Sequence, residues 1–131
     1  MITEEVHAAA LKAAIAAQVP DQVLVLDRDE VTALPSPLPD NYVELDLEVR
    51  FSDTRFINGD PATTPWRVIV DTVALTVTNA RSIREQVRSA FASLTISGEF
   101  TKPELETTAA IAQDKQGRWF CTDTFVYSLN N

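Results

Sequence analysis

The chain has 131 residues, 45% of them apolar and only 3 of them glycine, which excludes a disordered or low-complexity segment and fits one domain, residues 1–131, with a single core. Its formal net charge of -8 is unevenly held: residues 1–60 carry 12 acids against 4 bases, and residues 61–131 carry 7 of each. That balance excludes the dominant basic face that sequence-independent nucleic-acid binding needs, and a single cysteine, Cys121, excludes an internal disulfide and points to a reducing compartment.

The first residues, Met1 to Glu5, are acidic and lack the basic start of a secretory signal. The apolar run over residues 8–17 is interrupted by Lys12 and is too short to span a bilayer. Thr3 is placed to cap a helix that runs to about Gln18, with Glu4 and Glu5 in the first turn where the helix dipole favours negative charge. Ala8, Leu11, Ile15 and Val19 form its narrow apolar stripe, and Pro20-Asp21 ends it. Residues 22–28 (QVLVLDR) read as a short buried strand. From Asp29 to Asn41 the prolines at 35, 37 and 39 enforce a stiff, extended connector.

The strongest pattern follows. From Tyr42 to Phe51, Val43, Leu45, Leu47, Val49 and Phe51 share one strand face, while Glu44, Asp46, Glu48 and Arg50 share the other. At about 3.3 Å per residue the run spans roughly 33 Å. Residues 52–65 form a long connection without a period of its own, and residues 66–77 (WRVIVDTVALTV) read as the partner strand of a large hairpin. Thr78 or Asn79 caps a second helix, Ala80 to about Leu94, that buries Ile83, Val87, Phe91 (or Ala90) and Leu94 and puts Arg81, Arg84, Glu85 and Arg88 on its polar side. Leu105 to Gln113 and Arg118 to Leu129 are two further strands joined by the turn Asp114-Lys115-Gln116-Gly117. The order predicts an α+β sandwich: a mostly antiparallel or mixed sheet of about five strands with two helices packed on one face.

Chemistry-bearing residues are sparse. His7 is the single histidine and is remote in sequence from Cys121, which sits among Trp119, Phe120 and Phe125 as core filler. Asp27, Asp29 and Glu30 cluster at a strand end without calcium-loop spacing and read as solvated turn acids. No nucleophile elbow, phosphate loop or metal motif occurs, so no catalytic, cofactor or metal residue is expected. The sharper expectation concerns surfaces. The acidic strand face of Glu44, Asp46 and Glu48 is expected to meet Arg81, Arg84 and Arg88 of a neighbouring copy, because unlike halves suit a head-to-tail contact.

The stretch from Val23 to Leu129 resembles the tail terminator (tail completion) proteins of lambda-like long-tailed phages. The resemblance rests on the strand pair YVELDLEVRF and WRVIVDTVALTV, the helix opening TNARSIREQVRSAF, and the closing pair ELETTAAIAQD and RWFCTDTFVYSL. It implies a non-enzymatic virion protein, assembled in the host cytoplasm, that forms a homo-hexameric ring on the tail tube. Such a ring ends polymerisation of the major tail tube protein and offers a docking surface to the head-tail connector protein, with no cofactor, membrane or direct nucleic-acid contact. The long connection, with Asp53, Arg55, Phe56, Asn58 and Asp60, would then reach the tube or a neighbour. Two rival readings are another neck or head-tail adaptor protein and a small-ligand-binding α+β module lined by Trp66 and Trp119.

Overall fold

The computed structural model describes residues 4–28, 37, 39–49, 66–96 and 102–127. In chain order these form helix α1 (Glu4–Gln18), strands β1 (Leu24–Asp27), β2 (Tyr42–Val49) and β3 (Trp66–Ala74), helix α2 (Val77–Ala92), and strands β4 (Glu104–Thr108), β5 (Ala112–Gln113) and β6 (Trp119–Tyr127). They build one mixed sheet in the order β1-β2-β3-β6-β4, with β5 also paired to β6. β1 runs parallel to β2, and every other pairing is antiparallel. The α+β class, the two helices and the long hairpin follow the sequence pattern. The sheet has six strands rather than about five because the expected strand 105–113 splits into β4 and β5.

Register explains the layering. Val43, Thr72 and Cys121 lie side by side, as do Leu45, Val70 and Asp123, and then Leu47, Val68 and Phe125. These rows face the helices, and all nine residues are buried. α1 contributes Leu11 and Ile15, four residues apart and therefore on one helix face, and Val19, just past its end, continues the row. α2 contributes Ala80, Ile83, Val87, Ala90 and Phe91, the last packed edge-to-face on Phe125 at 4.7 Å between ring centres. The other sheet face carries Tyr42, Glu44, Asp46, Glu48, Arg67, Asp71, Phe120 and Thr122, and the helices leave it uncovered.

Local signals decide where elements begin and end. α2 starts three residues before the expected Ala80, because the Thr76 hydroxyl accepts the Asn79 N–H at 3.1 Å and caps the helix there. That cap overrides the β-propensity of Val77, and β3 stops at Ala74. The expected turn at 114–117 forms: the Asp114 carboxylate accepts the N–H groups of Gln116 and Arg118 at 2.8 and 2.9 Å. Gly117 closes it at φ +86°, a conformation that costs glycine nothing. The Thr3 cap lies outside the described residues.

His7 joins the buried stripe of α1, which the sequence pattern had started at Ala8. It precedes Leu11 by one turn, is fully buried, stacks on Trp66 at 4.0 Å and shares a 3.0 Å hydrogen bond between Nδ1 and the Tyr127 hydroxyl. Tyr127 stands six residues along β6 from Cys121, about 20 Å at strand spacing, so no Cys–His pair forms. Burial pushes the Cys121 thiol up, which disfavours the thiolate and fits the filler role.

Burial lowers the His7 pKa from its ordinary 6.5. The unfolded chain therefore takes up this proton at a higher pH than the folded chain. The stability held by a neutral His7 is complete above the unfolded value and is lost as the pH falls below it, until the folded pKa is passed. Urea unfolding should accordingly show a lower midpoint at about pH 5.5 than at about pH 7.5, a window above the bulk of carboxylate titration. His7→Phe should flatten that difference; an unchanged slope in the variant would contradict the assignment.

Candidate interaction surface on the outer sheet face

Because β2 alternates, its acids must all emerge on the face opposite the core, and register sets their neighbours. Glu44 lies beside Asp71, Asp46 beside Ile69, and Glu48 beside Arg67. Like charges side by side would repel, yet one cation holds them. Arg28, just past β1, donates from Nε to Glu44 at 2.5 Å, from one terminal nitrogen to Asp71 at 2.7 Å and from the other to Asp46 at 3.4 Å. The Glu44 bond is the main cause that raises the Arg28 pKa. Thr122 donates to the second oxygen of Asp71 at 2.6 Å. Further along the same face Arg67 pairs with Glu106 of β4 at 2.7 Å, while Glu48 is exposed.

Toward the start of β2 the charged rows give way to an open cleft of about 350 Å³. Tyr42, Val73 and Phe120 are adjacent in register and supply apolar surface; Glu44, Asp71, Asp114 and Thr122 complete the lining. Phe120 is 39% exposed although aromatic. Arg118 steadies the entrance of β2 by donating to the carbonyls of Pro39 and Asp40 at 2.6 and 3.1 Å.

The three arginines of α2 have different fates. Arg88 is turned toward the sheet: Nε and a terminal nitrogen donate to the two oxygens of Asp123 at 2.8 and 3.2 Å. Thr108 joins the pair, accepting from Arg88 at 3.1 Å and donating to Asp123 at 2.5 Å. Asp123 is 3% exposed and the Arg88 side chain 28%, so the ion pair between helix and sheet is buried at its acid end. The expectation that Arg88 lies on the solvent side is thereby corrected; its pairing with Asp123 outweighs its place on the polar half of the helix. Arg84 is half-buried, with no hydrogen bond to its Nε among the described residues. Arg81 is exposed and makes no ion pair among the described residues.

The six residues singled out from the sequence thus separate into Glu44 and Asp46, held by Arg28; Glu48 and Arg81, exposed; Arg84, half-buried; and Arg88, turned inward. Asp53, Arg55, Phe56, Asn58 and Asp60 lie outside the described residues, as do Asp29 and Glu30. Asp27 is 4% exposed in the row of Leu45, which overturns its reading as a solvated turn acid. Trp66 and Trp119 are partly buried and pack against the core. Sequence reasoning missed Arg28, Asp71, Thr108 and Asp123. The signal for Asp123 was there: it falls at an inward position between Cys121 and Phe125, where a carboxylate requires a partner.

No protein-family model matches the sequence, and no curated protein matches it. Among solved structures, a chain from the virion of a native gene transfer agent particle shares the fold with a TM-score of 0.65 and 17% identity, over 98% of this chain and 100% of that one. A second solved chain gives a TM-score of 0.62 at 13% identity, over 100% of this chain and 98% of that one. The likeness therefore extends from end to end as fold, without close sequence.

The buried pair yields a stability test. Arg88→Met leaves the Asp123 charge buried without its cation and should cost about 3 kcal/mol in urea unfolding. Adding Asp123→Leu should recover most of that loss, since an apolar pair of similar volume replaces an ion pair at little cost. A single variant as stable as the parent would show that the pair does not hold α2.

Proposed function

We propose that the chain is a non-enzymatic structural protein of a phage-like particle, working as the terminator of its tail. Copies form a six-membered ring on the end of the tube, stop addition of the major tail tube protein and present a docking surface to the head-tail connector protein. The observation that carries this reading is the fold likeness to a virion chain over 98% of this chain and all of that one. The resemblance seen in the strand and helix patterns supports the same assignment.

The surfaces support assembly in a specific way. One layer of the sandwich exposes acids already ordered by Arg28, and the opposite layer exposes Arg81. A subunit with unlike opposite sides forms heterologous contacts, which give a ring where the rotation closes. In this reading Glu44, Asp46 and Glu48 of one copy face Arg81 and Arg84 of the next, whereas Arg88 acts from inside by fixing the helix that carries them. Asp53, Arg55, Phe56, Asn58 and Asp60 serve contact with the tube or a neighbour. The whole chain, 1–131, acts as one terminator domain, assembled in the host cytoplasm and kept in the virion through protein surfaces rather than through nucleic acid, membrane or a cofactor.

Removing the gene from a particle-producing strain tests this role by electron microscopy of the lysate. Loss of a terminator should give tail tubes of uncontrolled length, unattached to filled heads, and the intact gene in trans should restore joined particles. Normal tails without the protein would sink the reading; tails of normal length that fail to join would assign it to head-tail adaptation instead.

A further inference from the structure

The outer-face cleft has the chemistry of an arginine receptor. Its apolar part, Tyr42, Val73 and Phe120, suits the three methylenes and the flat guanidinium of an arginine, which pack well on aromatic rings. Its acids, Glu44, Asp71 and Asp114, supply charge, and a carboxylate has room for several donors. Arg28 already aligns Glu44 and Asp71, so an arriving arginine meets fixed acceptors and little rotamer freedom is lost on binding.

The same chain contains a matching cation. Arg28, Arg67, Arg88 and Arg118 are engaged within the subunit. Arg84 is half-buried, Lys115 belongs to the turn beside the cleft, and Lys102 precedes the edge strand β4. Arg81 differs from all of these: it is exposed, stands on a regular helix and makes no ion pair among the described residues. It cannot enter the cleft of its own subunit, because α2 packs on the other side of the sheet from Tyr42, Val73 and Phe120. Among the described arginines, the complement of the cleft is therefore available from a second copy.

We propose that the cleft formed by Tyr42, Val73 and Phe120, with Glu44, Asp71 and Asp114 at its side, receives the Arg81 guanidinium of a neighbouring copy. This contact deepens the assembly reading and rests on it: it names the anchor by which one copy's helix layer seats on the next copy's sheet. An aromatic-lined pocket filled by an arginine is also the usual composition of an interface hot spot.

Site-directed cross-linking tests it. In the full chain carrying Cys121→Ser, one variant adds Arg81→Cys with Thr122→Cys, and a control adds Arg81→Cys with Val126→Cys, which is farther along the same sheet face. Both are treated with a short bismaleimide that spans the reach of an arginine side chain, after circular dichroism shows that each melts like its parent. A ladder of covalent multimers from the 81/122 variant, weak or absent in the 81/126 control, is the expected result. Light scattering that shows oligomers while 81/122 gives no ladder would overturn the cleft assignment and leave the assembly reading standing. A stronger ladder from 81/126 would move the contact elsewhere on the sheet and likewise overturn it. A parent chain with Arg81 in place that stays monomeric at every concentration and leaves purified tube ends bare would overturn both.

Discussion

A carboxylate on the helix-facing side of β6 sets the terms for half of this molecule. Asp123 lies in a row with Leu45 and Val70, where an unpaired charge is intolerable, and Arg88 is the cation that reaches it. That bidentate contact, tied to Thr108, fixes more than the distance between helix and sheet. It fixes the rotation of α2 about its axis. With Arg88 turned to the sheet, Ile83, Val87 and Phe91 fall inward beside it, and Arg81, seven residues earlier, lies on the same side of the helix two turns away, where it is exposed. The helix surface offered to partners is thus a consequence of how the core solves one buried charge.

The outer sheet face follows a different logic. Glu44, Asp46 and Asp71 cluster by register and would repel if left alone, and Arg28 spans all three. An exposed ion pair contributes little stability, but a network ordered around one guanidinium gives the face a fixed pattern. Fixed acids beside exposed Phe120 make a surface prepared for a cationic, partly apolar partner rather than for bulk water alone. The acidic outer sheet face and the helix layer that exposes Arg81 then differ in texture, and a head-to-tail contact between identical copies needs unlike sides.

Much of this was legible in the sequence, and the reasons are physical. Alternation in YVELDLEV set the two faces of β2, since a strand offers only two directions for a side chain. The helical stripes at Leu11, Ile15, Val19 and at Ile83, Val87, Phe91 likewise placed both helices against the core. What escaped was pairing at a distance. Arg28 and Asp71 are 43 residues apart, and Arg88 and Asp123 are 35 apart, so neither partnership follows from spacing. His7 escaped for another reason: its polar ring concealed a place on the α1 stripe that its stacking on Trp66 and its bond to Tyr127 make tenable. The three-residue shift at the start of α2 came from one hydroxyl, since Thr76 captured the cap before Thr78 or Asn79 could.

The central claim is that unlike faces of one subunit drive closed self-assembly. The most direct measurement is the mass of the purified 14.5 kDa chain by light scattering across a wide concentration range, alone and with purified tail tubes, with negative-stain imaging of both samples. The account predicts growth with concentration that stops at a closed six-copy ring, and rings seated at tube ends. A chain that stays monomeric at every concentration and leaves the tube ends bare would contradict it.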